Sequence, residues 1–259
     1  RLTDGEISVA TGEFTTAAEI ALQNGSLDGW DGSSPNAATD SKFWDTSNEG
    51  AKMGGLTPTQ AVTDFVHTQG GKAAKLESGK VDLMGGIFAA ASLYTGSFGS
   101  TNIWTQTATV NFGQSFTARP IALKGFYKYT PNVINLVKNV PAGVTIVKDQ
   151  TLDQCAIYIA LAKKTYTIDN GNQSTFIDFK NDENIIAYGE LPSGAATEGD
   201  GYVEFNIPLK YKNLTDQPTH IIVVCSSSKY GDYMTGGAGS TLYVDDLSLI
   251  YDGTPTIWE

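Results

Sequence analysis

The sequence is poor in charge, and most of the charge it carries is negative. Charged residues make up 17% of the chain, against about 25% in typical globular proteins. There are 17 lysines and arginines against 28 aspartates and glutamates, a formal net charge of −11. A chain this acidic offers no basic surface for a phosphate backbone, so we expect no nucleic-acid partner. An anionic membrane surface is disfavoured for the same reason.

Long apolar runs are also missing. The longest, such as Ile221–Cys225, have the length of a strand, well short of the ~18 residues of a membrane-spanning helix. The sequence therefore predicts no transmembrane segment in this chain. The opening residues Arg1–Gly5 do not have the pattern of a signal peptide, which leaves a cytosolic protein and a mature exported protein both open at this point.

Cysteine and histidine are scarce, which limits redox and metal chemistry. Cys155 and Cys225 lie far apart in apolar, strand-like runs, and we expect buried free thiols rather than a disulfide. His67 and His220 are too few for a multi-histidine metal site and poorly placed for a Ser-His-Asp triad, so structural roles are favoured. The nucleophile-elbow, phosphate-loop and Cys-x-x-Cys signatures do not occur in the sequence.

What the sequence does contain is typical of an all-β protein. With 41% apolar residues and 28 glycines, it reads as short strands separated by turns, in a sandwich or barrel. We expect one domain over residues 21–252, an N-terminal extension over residues 1–20 that adds an edge strand or short helix, and a C-terminal tail over residues 253–259. Helix is expected only near Thr15–Gln23 and Thr57–Phe65.

Several segments show the alternation of a strand with one buried face. Ile103–Phe112 and Gly201–Leu209 alternate throughout, and Pro208 predicts either a strand at a sheet edge or the end of a strand. His220–Cys225 is apolar on both faces, as in a central strand. In Gln154–Leu161 one face is small residues around a tyrosine, which fits either a concave ligand surface or a surface beneath a covering loop. The inward parity changes at Asp245-Asp246, which predicts a β-bulge.

Aromatic residues beside short polar ones suggest carbohydrate binding, because sugars stack their C–H faces on rings and present hydroxyls to polar groups. Three clusters have this mix: Lys42–Asn48, Lys124–Tyr129 and Lys229–Tyr233. We expect the binding site on the concave sheet and its rim loops, with about half of the rings, including Phe43 and Phe126, in the core instead. The candidate binding residues are Trp44 and Tyr127 as stacking rings, Tyr129 in reserve, and Asn48, Lys124 and Asp232 as hydroxyl partners.

Carboxylates offer an alternative, since glycoside hydrolysis needs two of them flanking the scissile bond. The candidate pair is Glu190 and Glu204, with Asp182 and Asp232 as further candidates. The competing interpretation is that these are solvated surface acids.

One of the candidate binding residues depends on a bend in its strand. Lys124 and Tyr127 fall on opposite faces of a regular strand, so Lys124 joins a binding site only if the strand bends at Gly125.

Four ordered motifs resemble the putative carbohydrate metabolism domain family. They are Phe43–Asn48, Lys72–Glu77, Arg119–Tyr129 and Ser226–Leu247, within roughly residues 24–252. The resemblance implies a two-sheet β-sandwich of the jelly-roll type. It also implies exported, often lipid-anchored proteins of gut-type Gram-negative bacteria, at the cell surface or in the periplasm, that belong to carbohydrate-use systems.

A second, looser similarity is to jelly-roll carbohydrate-binding modules, carried by Asn24–Trp30 and Tyr243–Leu249. In such modules, acids from the neighbouring first and last strands hold a structural calcium ion, which takes oxygen ligands. The similarity implies Asp28, Asp245 and Asp246 as ligands here; the alternative is that the aspartate pair caps a turn or binds a lysine. The chain departs from the pattern at Leu27 and Asp28, where Phe and Glu are usual. No other cofactor is expected.

The sequence thus predicts an exported, non-catalytic domain that binds an oligosaccharide or polysaccharide in glycan capture or use. The alternatives are a glycoside hydrolase and a structural or adhesive surface protein. Facing carboxylates ~5–10 Å apart in a cleft would favour the enzyme. A cleft with rings and amides but no such pair would favour the binding protein, and the lack of any cleft would favour the structural protein.

Overall fold

Strands account for most of the regular structure in the computed structural model, which describes residues 19–82 and 86–258. The expected all-β fold is confirmed. In chain order the strands are β1 (Trp44–Thr46), β2 (Thr59–Val62), β3 (Ala73–Glu77), β4 (Gly79–Val81), β5 (Ile87–Ala89), β6 (Ser92–Asn102), β7 (Thr107–Phe112), β8 (Gln114–Ser115), β9 (Ala122–Thr130), β10 (Ala156–Ala162), β11 (Tyr166–Asp169), β12 (Ile185–Glu190), β13 (Val203–Pro208), β14 (Lys210–Tyr211), β15 (His220–Ser226), β16 (Thr241–Ile250) and β17 (Thr256–Ile257).

Helix is confined to single turns in the described residues. These are α1 (Asn48–Ala51) and 3-10 turns at Lys52–Gly54, Gln173–Thr175 and Gly231–Tyr233. The helix predicted at Thr57–Phe65 is wrong, because Thr59 to Val62 pair antiparallel with β3 as strand β2. Of the segment Thr15–Gln23, residues 15–18 lie outside the described part, as does most of the predicted extension over residues 1–20, and residues 19–22 are not helical.

The larger sheet has the strand order β11-β7-β6-β15-β10-β12-β14-β17, with β1 added on β6 and β8 on β15. Strand β15 therefore lies inside the sheet, as its apolar faces predicted. The predicted tail takes part in this sheet, since β17 pairs parallel with β14. The backbone N–H of Trp258 continues the pairing by donating to the Tyr211 carbonyl at 2.8 Å.

The smaller sheet has the order β13-β9-β16-β3-β2. Pro208 ends β13 at its edge, as predicted for a residue that cannot donate to a ladder. The bulge predicted at Asp245-Asp246 is confirmed, because the register of β16 on β9 shifts between Asp245 and Ser248. Asp246 adopts a φ of 50° there.

The hydrophobic core lies between the two sheets and makes the protein a two-sheet β-sandwich. Leu76, Leu123 and Val244 of the smaller sheet pack in one cluster with Ile157 and Val223 of the larger sheet. The alternation predicted for β10 is present, since Ile157, Ile159 and Leu161 face this core while Ala160 faces the other way. Burial of such side chains contributes roughly 1.5–3 kcal/mol each.

A second hydrophobic cluster covers part of the outer face of the larger sheet. Ala160 and Ile222 lie there beneath Tyr166 and Ile168 of β11 and Phe112 of β7. The covering structure expected for the Gln154–Leu161 segment is present at one end of its outer face, while ligand binding at the other end stays a prediction. Ala160 lies under covering structure, whereas Ala156 and Tyr158 line an open cavity farther along the same strand.

The strand predicted over Ile103–Phe112 begins only at Thr107. Residues 103–106 form the turn between β6 and β7, because the Asn102 side chain accepts hydrogen bonds from the backbone N–H groups of Trp104 and Thr105. Gln106 then takes a φ of 57° and reverses the chain. As a result Trp104 is 87% exposed instead of lying on the apolar face of a strand.

Both cysteines are buried and free, as predicted. Burial raises the pKa of the Cys155 thiol to about 12 and raises that of Cys225 as well, so both thiols stay protonated. Among the residues that the structure describes, no helix has the length and apolarity needed to cross a membrane.

Candidate functional site

A cavity of about 240 Å³ opens on the outer face of the larger sheet. Its floor consists of side chains from the sheet itself, among them Tyr94 of β6, Val224 of β15 and Tyr158 of β10. Four separate parts of the chain build the walls: α1 with its following 3-10 turn, the paired strands β4 and β5, the turn between β6 and β7, and the 3-10 turn at Gly231–Tyr233. The cavity therefore depends on the whole tertiary structure.

Rings and aliphatic groups dominate the lining of the cavity. Five aromatic side chains take part: Phe88, Tyr94, Phe98, Phe112 and Tyr158. Desolvation, with a smaller contribution from nearby negative charge, raises the pKa of Tyr94 and Tyr158 well above its usual value. Both phenols thus stay neutral at physiological pH and present a hydroxyl beside an apolar ring.

Asp232 is the one acidic side chain among the described residues that line the cavity. Its side chain is exposed to solvent in the cavity. Desolvation by the surrounding protein raises the pKa of this carboxyl group to about 6. Above that pH the group is an ionised carboxylate, which is a strong hydrogen-bond acceptor for a ligand hydroxyl.

A buried network holds the segment that carries Asp232. The Asp153 carboxylate accepts hydrogen bonds from the Ser228 hydroxyl at 2.6 Å, from the Gly237 N–H at 2.7 Å and from the Ser240 hydroxyl at 3.2 Å. These bonds fix both ends of the loop that contains the Gly231–Tyr233 turn. Gly231 also packs so closely that an added Cβ would lie 2.5 Å from the Ala90 methyl group.

Trp104 lies in the turn between β6 and β7, next to cavity-lining residues, and was not among the predicted site residues. Its neighbour Ile103 lines the cavity, and the indole itself is 87% exposed. A large apolar ring held in solvent by a tight turn is unusual for a side chain with only a structural role. The sequence signal was Asn102, whose side chain caps turns readily, but the regular alternation around it suggested a continuous strand.

Three of the predicted binding residues are buried, and their assignment to the site is wrong. Trp44 has no exposed surface, and its indole N–H donates to the Gln23 carbonyl at 2.7 Å inside the core. Tyr129 is also fully buried, with its hydroxyl on the Ser227 carbonyl. Asn48 uses its amide to bind both the N–H and the carbonyl of Thr59.

Two more predicted residues lie on the smaller sheet, away from the cavity. Tyr127 packs against the core and contacts the edge of the Phe205 ring. Lys124 points to the opposite face, as strand alternation required, and forms an ion pair with Glu204. Of the six predicted binding residues, only Asp232 lines the cavity.

The predicted catalytic pair is also separated by the sandwich. Glu190 pairs with Tyr158 across β12 and β10 and therefore faces the outer side of the larger sheet. Glu204 faces the outer side of the smaller sheet, where Lys124 binds it. Both sheets lie between the two carboxylates, so they cannot flank one glycosidic bond. Asp182 is engaged by the Tyr166 hydroxyl and by Asn184.

The acids of the predicted calcium site are arranged around the loop of residues 67–72. Asp28 accepts the Lys72 N–H at 2.7 Å, Asp245 accepts the His67 N–H at 2.7 Å, and Asp246 lies 2.7 Å from His67 Nδ1. In the described ranges no three Asp, Glu, His or Cys side chains are grouped to hold a metal. This arrangement matches the turn-capping alternative, and calcium binding stays a prediction.

Two of the solved structures similar to this chain come from Bacteroides species. A putative glycoside hydrolase from Bacteroides thetaiotaomicron is 24% identical with a TM-score of 0.61, over 82% of this chain and 63% of that one. This chain thus spans less than two thirds of that structure. A putative glycoside hydrolase from Bacteroides vulgatus is 25% identical with a TM-score of 0.60, over 83% of this chain and 88% of that one.

The remaining comparisons are with a more distant solved structure, with curated proteins and with family models. A structure of carbohydrate-binding modules from the β-sandwich superfamily has a TM-score of only 0.34 at 13% identity, over 83% of this chain and 64% of that one. A TM-score this low is not evidence of a shared fold. No curated protein matches the chain. The model of one family matches residues 19–250, which confirms the resemblance seen in the sequence motifs: the chain belongs to the putative carbohydrate metabolism domain family.

Proposed function

We propose that this protein binds a carbohydrate at the mouth of the cavity and does not hydrolyse it. The observation that supports binding over catalysis is the number of carboxylates. Asp232 is the one acid among the described lining residues, whereas glycoside hydrolysis uses a pair that flanks the scissile bond. A cleft with rings and a single carboxylate corresponds to the binding protein among the three classes considered from the sequence.

Two side chains, Trp104 and Asp232, would contact the sugar in different ways. The exposed Trp104 ring offers a flat apolar surface on which the C–H face of a sugar can stack. Asp232 accepts hydrogen bonds from sugar hydroxyls. A stacked ring contributes about 1 kcal/mol beyond its buried area, and a hydrogen bond to a charged group about 1.5–3 kcal/mol. Because immobilising the sugar opposes these gains, we expect Kd values near the millimolar range.

A glycoside hydrolase is the second candidate. Two similar solved structures are called putative glycoside hydrolases, and the raised pKa of Asp232 is a property of general acids. The pair Glu190 and Glu204 is excluded by its geometry. A hydrolase would therefore need a second carboxylate to approach Asp232 from outside the described cavity lining.

We also propose that the protein works outside the inner membrane, at the cell surface or in the periplasm, with a lipid anchor on the full-length protein. The family context supports this proposal. Fractionation of cells that express the full-length gene, followed by detection of the protein, tests it. Recovery of the protein in the cytosol would contradict it.

The binding proposal is tested with a glycan array followed by calorimetry on the best ligand. We expect Trp104→Ala and Asp232→Asn each to weaken binding at least about tenfold, the loss of one stacking or charged contact. Glu204→Gln is the matched control for charge, since that acid lies on the opposite face, and Leu214→Ala controls for loss of an exposed apolar side chain.

Two results would overturn the proposal. One is a glycan that both cavity-mouth variants bind as tightly as the wild type, which would place the site elsewhere. The other is release of reducing sugar from the bound glycan by the wild type but not by Asp232→Asn, which would make the protein a hydrolase.

A further inference from the structure

The interior of the cavity is poorly suited to a sugar ring, because most of its lining is apolar and several of its polar side chains are already engaged. The Ser47 hydroxyl accepts the Ser92 N–H, the Ser228 hydroxyl donates to Asp153, and the Asn170 side chain accepts the Ala108 N–H. A sugar pressed into this space would leave hydroxyls without partners. Each unpaired buried polar group costs about 1–3 kcal/mol.

The same interior is well suited to an aromatic ring. Tyr94, Phe98 and Tyr158 are among its lining side chains, with Ala156 and Val224 on the floor between them. Aromatic rings pack against one another in stacked or edge-on pairs, which a ligand ring could join. A dry cavity of about 150 Å³ lined by apolar side chains is known to take up benzene, and this cavity has about 240 Å³.

The charged side chains at the cavity bear on whether the aromatic ligand is neutral or acidic. Asp232 lies at the cavity and Lys229 is exposed beside it, while the chain as a whole carries −11. An aromatic acid would bring a second carboxylate towards Asp232, and the repulsion between the two carboxylates offsets the attraction of Lys229, so the negative charge brings no net gain. A neutral ring, linked to a sugar at the cavity mouth, avoids this repulsion and leaves Asp232 free to accept a sugar hydroxyl.

We propose that the cavity interior binds a neutral, single-ring aromatic substituent of a glycan or glycoside, while the sugar to which it is attached stays at the mouth beside Trp104 and Asp232. This inference rests on the proposed function, because it assigns the sugar to the mouth. It names the substrate class as aryl-substituted carbohydrate, either an aryl glycoside or an aromatic ester, both of which present the same ring and a neutral linkage.

The test compares phenyl and methyl glycosides of the same sugars, using the β-glucoside, β-galactoside and α-mannoside pairs. Calorimetry should show that the phenyl glycoside binds at least about tenfold more tightly for the sugar that is recognised, as expected for burial of one ring. Ala156→Leu fills the cavity floor and should abolish this difference while leaving the methyl glycoside unaffected. Ala142→Leu, in an exposed loop, is the matched control.

Binding of an aromatic compound without a sugar distinguishes the proposed carbohydrate binding from the proposed aromatic site. We expect 4-fluorophenol to bind, detected by 19F NMR line broadening that Ala156→Leu removes. If methyl glycosides bind but the phenyl and methyl forms have equal affinity, the aromatic inference is overturned and the proposed function stands. If 4-fluorophenol binds in the cavity and no glycan or glycoside does, the proposed function falls, and with it the assignment of the ring to a carbohydrate.

Discussion

Replacing Trp44 by alanine distinguishes a core residue from a ligand contact. As a binding residue, Trp44 could be removed without harm to the fold. The structure gives the opposite expectation, since the ring has no exposed surface, its N–H donates to the Gln23 carbonyl at 2.7 Å, and it contacts Phe43 edge-on at 5.7 Å. Truncation of a buried Trp to Ala costs about 3–5 kcal/mol, and the orphaned Gln23 carbonyl adds about 1 kcal/mol.

The expected loss is a large part of the whole stability, which is about 5–15 kcal/mol for a typical domain. At about 2–4 °C per kcal/mol for a domain of this size, the Tm should fall by roughly 10–20 °C. Trp44→Phe keeps most of the buried ring and loses the hydrogen bond, so we expect an intermediate Tm. The matched control is Trp104→Ala, which removes an indole that is 87% exposed and should change stability by less than about 0.5 kcal/mol.

Thermal unfolding followed by circular dichroism, with urea titration as a second measure, provides the assay. The reasoning is refuted if Trp44→Ala unfolds at the wild-type Tm, because no buried side chain of that size can be lost without cost. It is equally refuted if Trp104→Ala lowers the Tm as much as Trp44→Ala does.

Two further predictions concern the acids. The folded-state pKa of Asp232, raised to about 6, lies above its usual value, so its contribution to stability is present at low pH and is lost as the pH rises through about 6. Asp232→Asn should therefore raise the free energy of unfolding by about 1 kcal/mol at pH 7.5 and leave it unchanged at pH 4. The full pKa shift represents roughly 3 kcal/mol, but water in the cavity screens most of it. An equal difference at both pH values would contradict this. The oxygens of Asp28, Asp245 and Asp246 are already engaged by groups of the loop of residues 67–72, so we expect an unchanged Tm in excess EDTA. A fall in Tm that calcium reverses would instead establish a structural metal.

Much of the fold was predictable because it depends on alternation, which is local. The change of parity at Asp245-Asp246 located the bulge, since one extra residue is the only way to keep Val244 and Leu247 both in the core. The apolar faces of His220–Cys225 placed β15 inside its sheet. These inferences need the order of apolar residues along a strand and nothing from the rest of the chain.

The site was mostly unpredictable because it depends on distances between segments. Trp44 and Trp104 both stand among polar residues in the sequence. The first is buried because Trp44 pairs with Thr95 across β1 and β6, and the second is exposed because Asn102 caps a turn. The spacing of apolar residues along the sequence predicts neither the burial of Trp44 nor the exposure of Trp104. Asp232 was identified from its aromatic neighbours, but the cavity beside it forms only when four distant segments meet.

The tail strand β17 has a consequence for how the protein behaves at high concentration. It pairs with β14 at one end of the larger sheet, and the side chain of Trp258 lies near the Tyr188 ring at 6.1 Å. Without it, β14 would present unpaired backbone groups at an open sheet edge, which is a template for pairing with another chain. Strand β17 itself then forms the edge, and because it pairs over two residues only, this sheet ends in a short strand that offers little backbone for another chain to pair with.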